Sequence, residues 1–546
     1  MFALDPYAAR SCPLKTVHAF SATATAPPAT ATSMAGTEEF VAEVTRRILA
    51  GRAAVTDLRE LRTAPTEEQE AACLAAMADG AAVILGGLLP RDWESHRRGR
   101  AELLVSDGEG GYLPGVIKFQ RAVDPRRDDR EFVFSDVGEL TRRRTTTGWR
   151  YRWNWRWTNA IYLAHLWELL ASTGFQSSRA EGLVIGTEQI PDLGLVACRL
   201  DLTEPAVATI PGEAEAPTHV SALQRYHREF ALRVELAEVA GSTDPVPPDL
   251  LNPVVTRECQ FCRWWPVCEK LLDPDDLSLR INKAPLDRHE ITALRSIGVT
   301  TVADLAAGQV DDLLVDYLPQ MAYRQGAEER LRLAHRRSLL LHQGIQLERL
   351  STGPVEVPQA PVEIDIDVET SRTDRVYLWG FWVGTPQTGR YHQFSSFSDL
   401  DAAAELALAR EAMAWLRQIV GGQRALVFHY SDYEVLRLSR LAGPQTPEVE
   451  WALEFAKTGF VDLFGIVRSH FFGANGLGLK AVASAGAGFH WRDEDPGGLN
   501  SMSWFETAVG AESATERTMA RQRVLRYNED DVRATATLRQ WLRSLR

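Results

Sequence analysis

The side chains best typed and spaced for chemistry lie in the last third of the chain. Asp367-Val368-Glu369 sits in the β-branched stretch VEIDIDVET, and a strand of period two puts both carboxylates on one face. Tyr527 precedes Asp531 by four residues in RYNEDDVRA, so a helix stacks phenol and carboxylate on one side. Between them, HYSDYEVLRL places Glu434 at the start of a helix that follows a strand. Four carboxylates converging from two strand ends and two helices suit a pair of Mg²⁺ or Mn²⁺ ions, one generating hydroxide and the other stabilising a departing oxygen. The tyrosine would orient the attacking water. Asp365 and Asp530 flank these ligands as supporting groups or exposed charges, and Asp432 and Asp462 are further acids nearby.

A second constellation is sulfur. Cys259, Cys262 and Cys268 form C-x2-C-x5-C in CQFCRWWPVC, a spacing that points to a metal centre in need of a fourth ligand. Cys12, in the polar-flanked RSCP turn, is the best candidate. Cys73 in an Ala-rich helix and Cys198 in an apolar strand read as packed thiols. Four thiolates suit zinc or a [4Fe–4S] cluster, and spacing alone leaves both open.

A third feature is TRRRTTTGWRYRWNWRW over 141–157, with six arginines and no acid in a chain of net charge -13. On a strand, Trp149, Tyr151, Trp153, Trp155 and Trp157 would form one face and Arg150, Arg152 and Arg156 the other. Bases stack on rings and phosphates pair with guanidinium groups, which makes Arg150, Arg152, Trp153, Trp155 and Arg156 candidates for binding nucleic acid.

The elements that must position these groups follow from pattern. Helical periodicity dominates from Glu38 to about Leu89. A hairpin is expected from Ala101–Val105, a DGEGG turn and Leu113–Phe119, with a helix over 158–172 against it. Residues 21–36, 207–218 and 242–253 read as loops. Two short helices around Ile297-Gly298-Val299 resemble a helix–hairpin–helix, and the proline-rich 351–361 reads as a linker. Two strands, a helix, a strand and two further helices then give an α/β layout.

The 546 residues suggest three or four folding units, with composition ordinary for a soluble protein. No apolar run approaches the roughly 20 residues needed to span a bilayer, so no membrane partner is expected. The N-terminus lacks a secretory pattern, and six cysteines are too few for a disulfide scaffold, so a reducing cytoplasm is the expected compartment. No G-x4-G-K-[ST] motif is present, so the chain carries no P-loop motor.

The words YAARSCPLKT, GRAELLVSDGEGGYLPGVIK, LAHLWELL and CQFCRWWPVC resemble the RecB-like putative nuclease family that bears a C-terminal RNase H-like domain, over nearly the whole chain. That resemblance implies a RecB-like PD-(D/E)xK-type domain over 1–275 closed by a four-cysteine cluster, with Cys12, Cys259, Cys262 and Cys268 holding [4Fe–4S]. It implies a helical connector over 276–350 and an RNase H-like domain over 355–546. In the first domain Glu102 and Lys118 match the motif, but Val116 stands where the second acid belongs, so the site reads as degenerate. The last domain resembles the tyrosine-bearing DEDD exonucleases: Asp367 and Glu369 match the first motif, Tyr433-Glu434 stands at the middle one, and Tyr527 with Asp531 matches the last. The resemblance implies a metal-dependent 3′–5′ exonuclease acting on single-stranded DNA or RNA ends, with the first domain guiding the strand. The alternatives are an endonuclease at the RecB-like site and a non-catalytic accessory subunit of a helicase.

Overall fold

A computed structural model describes residues 1–21, 37–208, 219–243, 246–321, 324–398, 400–495 and 497–546. The chain forms two compact units, one from residues 1–279, 287–297 and 314–328, the other from 280–286, 298–313 and 329–546. The connector expected over 276–350 is therefore shared between them. The loop expected over 21–36 lies outside the described residues beyond Ser21, as do 209–218 and 244–245.

In the first unit α1 spans Pro13–Phe20. A mixed eight-stranded sheet is built from β1 (Val55–Asp57), β2 (Val83–Leu85), β3 (Leu103–Ser106), β4 (Tyr112–Ile117), β5 (Phe132–Asp136), β6 (Arg144–Thr146), β7 (Glu181–Ile190) and β8 (Gly194–Asp201). Its order is β1-β2-β3-β4-β7-β8-β5-β6. Its helices include Thr37–Leu49 and Thr66–Ala78, together with α2 (Trp153–Ala171), α3 (Ala222–Ser242) and α4 (Arg288–Ser296).

The hairpin β3–β4 forms as its turn demands. Gly108 and Gly110 take positive φ, and the Asp107 carboxylate accepts the Glu109 and Gly111 amides at 2.7 and 2.9 Å. Strands β1 and β2 interrupt the region read as helical. Val83, Ile84 and Leu85 are all buried, and so short an apolar run carries no period to separate strand from helix. The loop read over 207–218 begins in a strand, Val207–Ala208, paired with His219–Val220.

The alternating aromatic segment departs most from expectation. Only Trp149–Tyr151 is a strand, paired with Val123–Pro125, and the chain is helical from Trp153. Arg152 is held at the junction by Asp124 at 3.0 Å. The apolar run from Asn159 to Leu166 is buried on every side, so helical packing decides the conformation of the tryptophans before it.

The second unit contains a five-stranded sheet of β9 (Val362–Thr370), β10 (Val376–Val383), β11 (Arg390–Ser395), β12 (Ala425–His429) and β13 (Phe460–Asp462), in the order β11-β10-β9-β12-β13. Its helices include α5 (Ala402–Val420), α6 (Tyr433–Leu441), α7 (Leu479–Ala485), α8 (Gly498–Gly510) and α9 (Ala514–Ser544). The stretch 351–361 is no free linker, because Val355 and Val357 are buried with Phe428, Leu463 and Leu542. Prolines hold it extended, which lets alternate valines reach the core.

Strand β9 organises this unit. Ile364, Ile366 and Val368 face the core that Leu408, Met413 and Leu416 of α5 complete, each buried aliphatic contributing about 1.5–3 kcal/mol. The opposite face carries only acids, Glu363, Asp365, Asp367 and Glu369. At one end α9 answers them with cations. Arg539 binds Asp365 at 2.8 and 3.2 Å and also reaches Glu363, which Arg543 meets at 2.8 Å. Asp365 is fully buried, so it is no exposed charge.

Arg539→Ala leaves that buried carboxylate unpaired and should cost about 3–5 kcal/mol in urea unfolding. A loss below about 1 kcal/mol would show that α9 is held by its apolar contacts alone.

Candidate active site

Among the described residues no arginine pairs with the other end of the acid face. Asp367 and Glu369 on β9 meet Asp531 on α9, with one carboxylate oxygen from each lying within 4.8 Å of the others. Among the described residues this is the one group of three metal-ligating side chains so close together. Close approach of α9 depends on Gly380, which lies opposite Asp367 on β10. A Cβ there would stand 1.7 Å from Asn528 Oδ1. In the space left by the missing side chain, Asn528 donates to Asp367 at 2.7 Å and accepts from Tyr391 at 2.8 Å.

Each acid has a positioned donor. Ser501 of α8 donates to Glu369 at 2.7 Å. Asp531 accepts the Trp491 indole N–H at 2.6 Å and meets Lys480 of α7 at 3.5 Å. Lys480 also donates to the Tyr527 hydroxyl at 2.9 Å. Beside the tyrosine a cavity of about 240 Å³ is lined by Arg492, Arg523 and Arg526 against Asp493, Glu494 and Asp530, with Arg523 paired to Asp493 at 2.6 Å.

Electrostatically the acids are poised against ionisation. Burial, then the charges of Asp531, Glu369 and Glu434, hold the Asp367 carboxyl well above its ordinary range. Burial and Asp531 push Glu369 up to about 8. Asp531 is raised by burial, although Lys480 and Trp491 pull against it. Two buried carboxylates and the half-buried Asp367 beside one ammonium lack positive charge, and hard oxygen donors at this separation fit a divalent cation such as Mg²⁺ or Mn²⁺.

Glu434 stands outside the triad. It is buried in the first turn of α6, 3.7 Å from His429 Nδ1, with Oε2 lacking a hydrogen-bond partner. Burial raises it to about 8. Tyr433, its neighbour in the middle motif, is occupied by Thr370 at 2.9 Å and Arg437 at 2.7 Å. Asp462 caps the following helix through the Phe464 and Gly465 amides, which leaves it a structural acid. Asp530 is buried against Arg492 at 2.8 Å. Asn528 and Ser501 escaped sequence reading, and the glycine amid the aromatics of YLWGFW was the signal for the first.

In the first unit, Lys118 pairs with Glu102 at 2.7 Å, and Glu102 also accepts the Ile117 amide at 2.8 Å. The lone acid is thus neutralised by the motif's own lysine. Trp155 is exposed, whereas Trp153 packs partly against the core, Arg152 serves Asp124, and Arg156 donates to the Arg121 carbonyl at 2.8 Å. Arg150 is exposed on its short strand. These five residues therefore share no single strand face.

The cysteines do converge. Cys12, Cys259, Cys262 and Cys268 line one cavity with Lys15, His18, Glu258 and Trp264. Arg288 donates to Cys12 Sγ at 2.8 Å, and His18 Nε2 lies 3.3 Å from Cys268 Sγ. Burial, then the neighbouring sulfurs, push the Cys268 thiol up to about 12. Cys73 and Cys198 are buried elsewhere in the core, as packed thiols.

Among the described residues no helix is long and apolar enough to cross a membrane. In comparisons with known proteins, no curated protein and no solved structure matches the chain. A family model described as the RNase_H superfamily matches residues 364–543, which span β9 to α9 and hold the acid triad. The second unit thus carries an RNase H-like domain, of a kind that supports nuclease-type processing of nucleic acid.

Proposed function

We propose that the protein is a metal-dependent nuclease that shortens single-stranded DNA or RNA from the 3′ end at the site of Asp367, Glu369, Tyr527 and Asp531. The triad on the acid face of β9 carries this reading. The three carboxylates would hold the divalent ions, with Glu434 as a fourth acid bearing on Asp367. When bound, those ions supply an activated water and charge stabilisation for the leaving oxygen. The chain's own residues do the rest. Ser501 and Asn528 fix the carboxylate orientations, Lys480 holds the Tyr527 hydroxyl beside Asp531, and Tyr527 orients the attacking water. Arg526 would meet phosphate in the adjoining cavity, where Arg492 and Arg523 are already paired with acids.

The first unit is read as a RecB-like domain whose nuclease site is degenerate and which guides the strand. Its four cysteines would hold a [4Fe–4S] cluster. Zinc is the alternative occupant of the same four thiolates. A cytoplasmic setting and a helicase partner belong to the same reading. The accessory-subunit alternative takes its support from the neutralised Glu102–Lys118 pair, and would require the second unit to be inert too.

Three outcomes test this. With Mn²⁺, Asp367→Asn combined with Asp531→Asn should reduce release of terminal mononucleotides from end-labelled strands by at least about 10³-fold, while Lys118→Ala leaves it intact. Internal cuts abolished only by Lys118→Ala would move the chemistry to the first unit.

Protein purified without oxygen should contain about four irons and four sulfides per chain. Stoichiometric zinc without iron would refute the cluster.

The raised carboxyls also set a pH dependence. Their folded pKa values exceed the unfolded ones, so the stability they lend is full below about pH 4.5 and is lost as pH rises through about 8. Metal-free protein should therefore melt lower at pH 8.5 than at pH 6, and Mn²⁺ should raise the melting temperature more at the higher pH. A metal-induced shift that is independent of pH, or that survives Asp367→Asn, would overturn the assignment of these acids.

A further inference from the structure

The first unit holds a second charged feature that the nuclease site does not use. A cavity of about 750 Å³ is bounded by the chain's first residues, the first turn of α2, one side of α3 and the start of α4. Six arginines line it, Arg10, Arg225, Arg228, Arg233, Arg288 and Arg324, against three acids. Counted over the described residues, this wall is locally +3 in a chain of net charge -13.

Each of the acids already has a structural task. Glu229 serves two arginines at once, Arg225 at 2.8 Å and Arg233 at 3.2 Å. Glu258 pairs with Lys15 and accepts the Cys12 amide at 3.1 Å. Asp287 caps α4 through the His289 and Glu290 amides and pairs with Arg324. The arginines are in turn held in place. Arg233, 3% exposed, is fastened to the Ser11 carbonyl at 2.8 Å, and burial lowers its pKa from the ordinary range. Arg10 stacks over the Tyr7 ring at 4.8 Å with a buried Nη1 that has no hydrogen-bond partner. Fixed guanidinium groups in excess over carboxylates are a receptor for anions.

Two tryptophans share the wall. Trp153 and Trp157 are four residues apart on α2, hence on one helical side, and Arg225 lies 5.3 Å from the Trp157 ring. A single phosphate needs one focal pair of cations, whereas six spread around a cavity beside aromatic faces match spaced phosphates with intervening bases. A duplex, whose major groove alone is about 12 Å wide, does not enter a cavity of this size.

We infer that this cavity binds the sugar–phosphate backbone of single-stranded nucleic acid, with Trp153 and Trp157 as base-stacking surfaces and Arg228 and Arg288 among the phosphate contacts. The inference deepens the proposed guiding role of the first unit, and it is tested without cleavage. The experiment uses the full chain carrying Asp367→Asn, in EDTA, and follows fluorescence anisotropy of a labelled oligo(dT) of about 15 nucleotides across a salt series. Arg228→Glu, at an exposed position, and Asn154→Glu are compared with it. Asn154→Glu puts a carboxylate in the first turn of α2, where the helix dipole favours it, so the fold is kept and only the cavity's charge changes. Arg46→Glu, on the exposed side of the helix Thr37–Leu49, is the control.

Both cavity variants should bind at least about ten-fold more weakly, and Arg228→Glu should flatten the salt slope by about 1, while Arg46→Glu stays within about two-fold. Binding unchanged in both cavity variants, equal weakening by Arg46→Glu, or preference for a duplex of the same length would overturn the inference. The parent protein, here the full chain with Asp367 intact, assayed with Mn²⁺ separates this from the nuclease reading. Cleavage without a cavity effect sinks only the groove, and strand binding lost in the cavity variants without cleavage by the parent sinks only the nuclease.

Discussion

Four carboxylates on one face of a single strand cannot remain in a folded protein without positive charge, and the second unit is arranged around that constraint. Along β9 the compensation changes in kind. At Glu363 and Asp365 it comes from two arginines of α9, built into the chain and permanent. At Asp367 and Glu369 the same helix offers instead another acid, Asp531, together with an asparagine. One helix thus closes half of the acid face and leaves the other half needing a cation from outside. The register of α9 on β9 separates the two halves, and Gly380 admits the helix to that register.

The dedicated donors around the triad sharpen the contrast. Ser501, Trp491 and Asn528 each occupy a lone pair of an acid, so the carboxylates keep fixed orientations without being neutralised. A buried acid with rigid neutral donors loses little orientational freedom when a cation arrives, and the cost of ordering the site has been met during folding.

Much of this was legible in the sequence. Alternation in VEIDIDVET gave both the strand and its acid face, and the four-residue offset of Tyr527 and Asp531 gave a helical pair. The limits were equally physical. Glu434 follows a strand and opens a helix as a ligand would, yet whether its carboxylate reaches the triad depends on packing of α6 that no local pattern records. Trp491 and Ser501 come from segments whose contact with the site is wholly long-range. In the first unit the cysteines announced themselves by spacing. The tryptophan–arginine alternation misled, because a period of two in residue type is not a period of two in backbone when the next turns are apolar on every side. The reading of 351–361 as a linker failed for a related reason, since prolines mark extended chain without saying whether it is buried.

The way the first unit closes has a consequence for the order of events during synthesis. Its earliest segment, with Cys12 and α1, is fastened by Glu258 and by Arg288, which lies 276 residues further along the chain. Between those partners and the remaining segment of the unit, 314–328, come residues that belong to the other unit. At ribosomal rates of 5–20 residues per second the N-terminus therefore waits about 15–60 s for Arg288 to be made. Through that interval Cys12 is a thiol without the neighbours that later enclose it. The first unit is complete only when 314–328 has been made, after two segments of the other unit, 280–286 and 298–313, have already emerged.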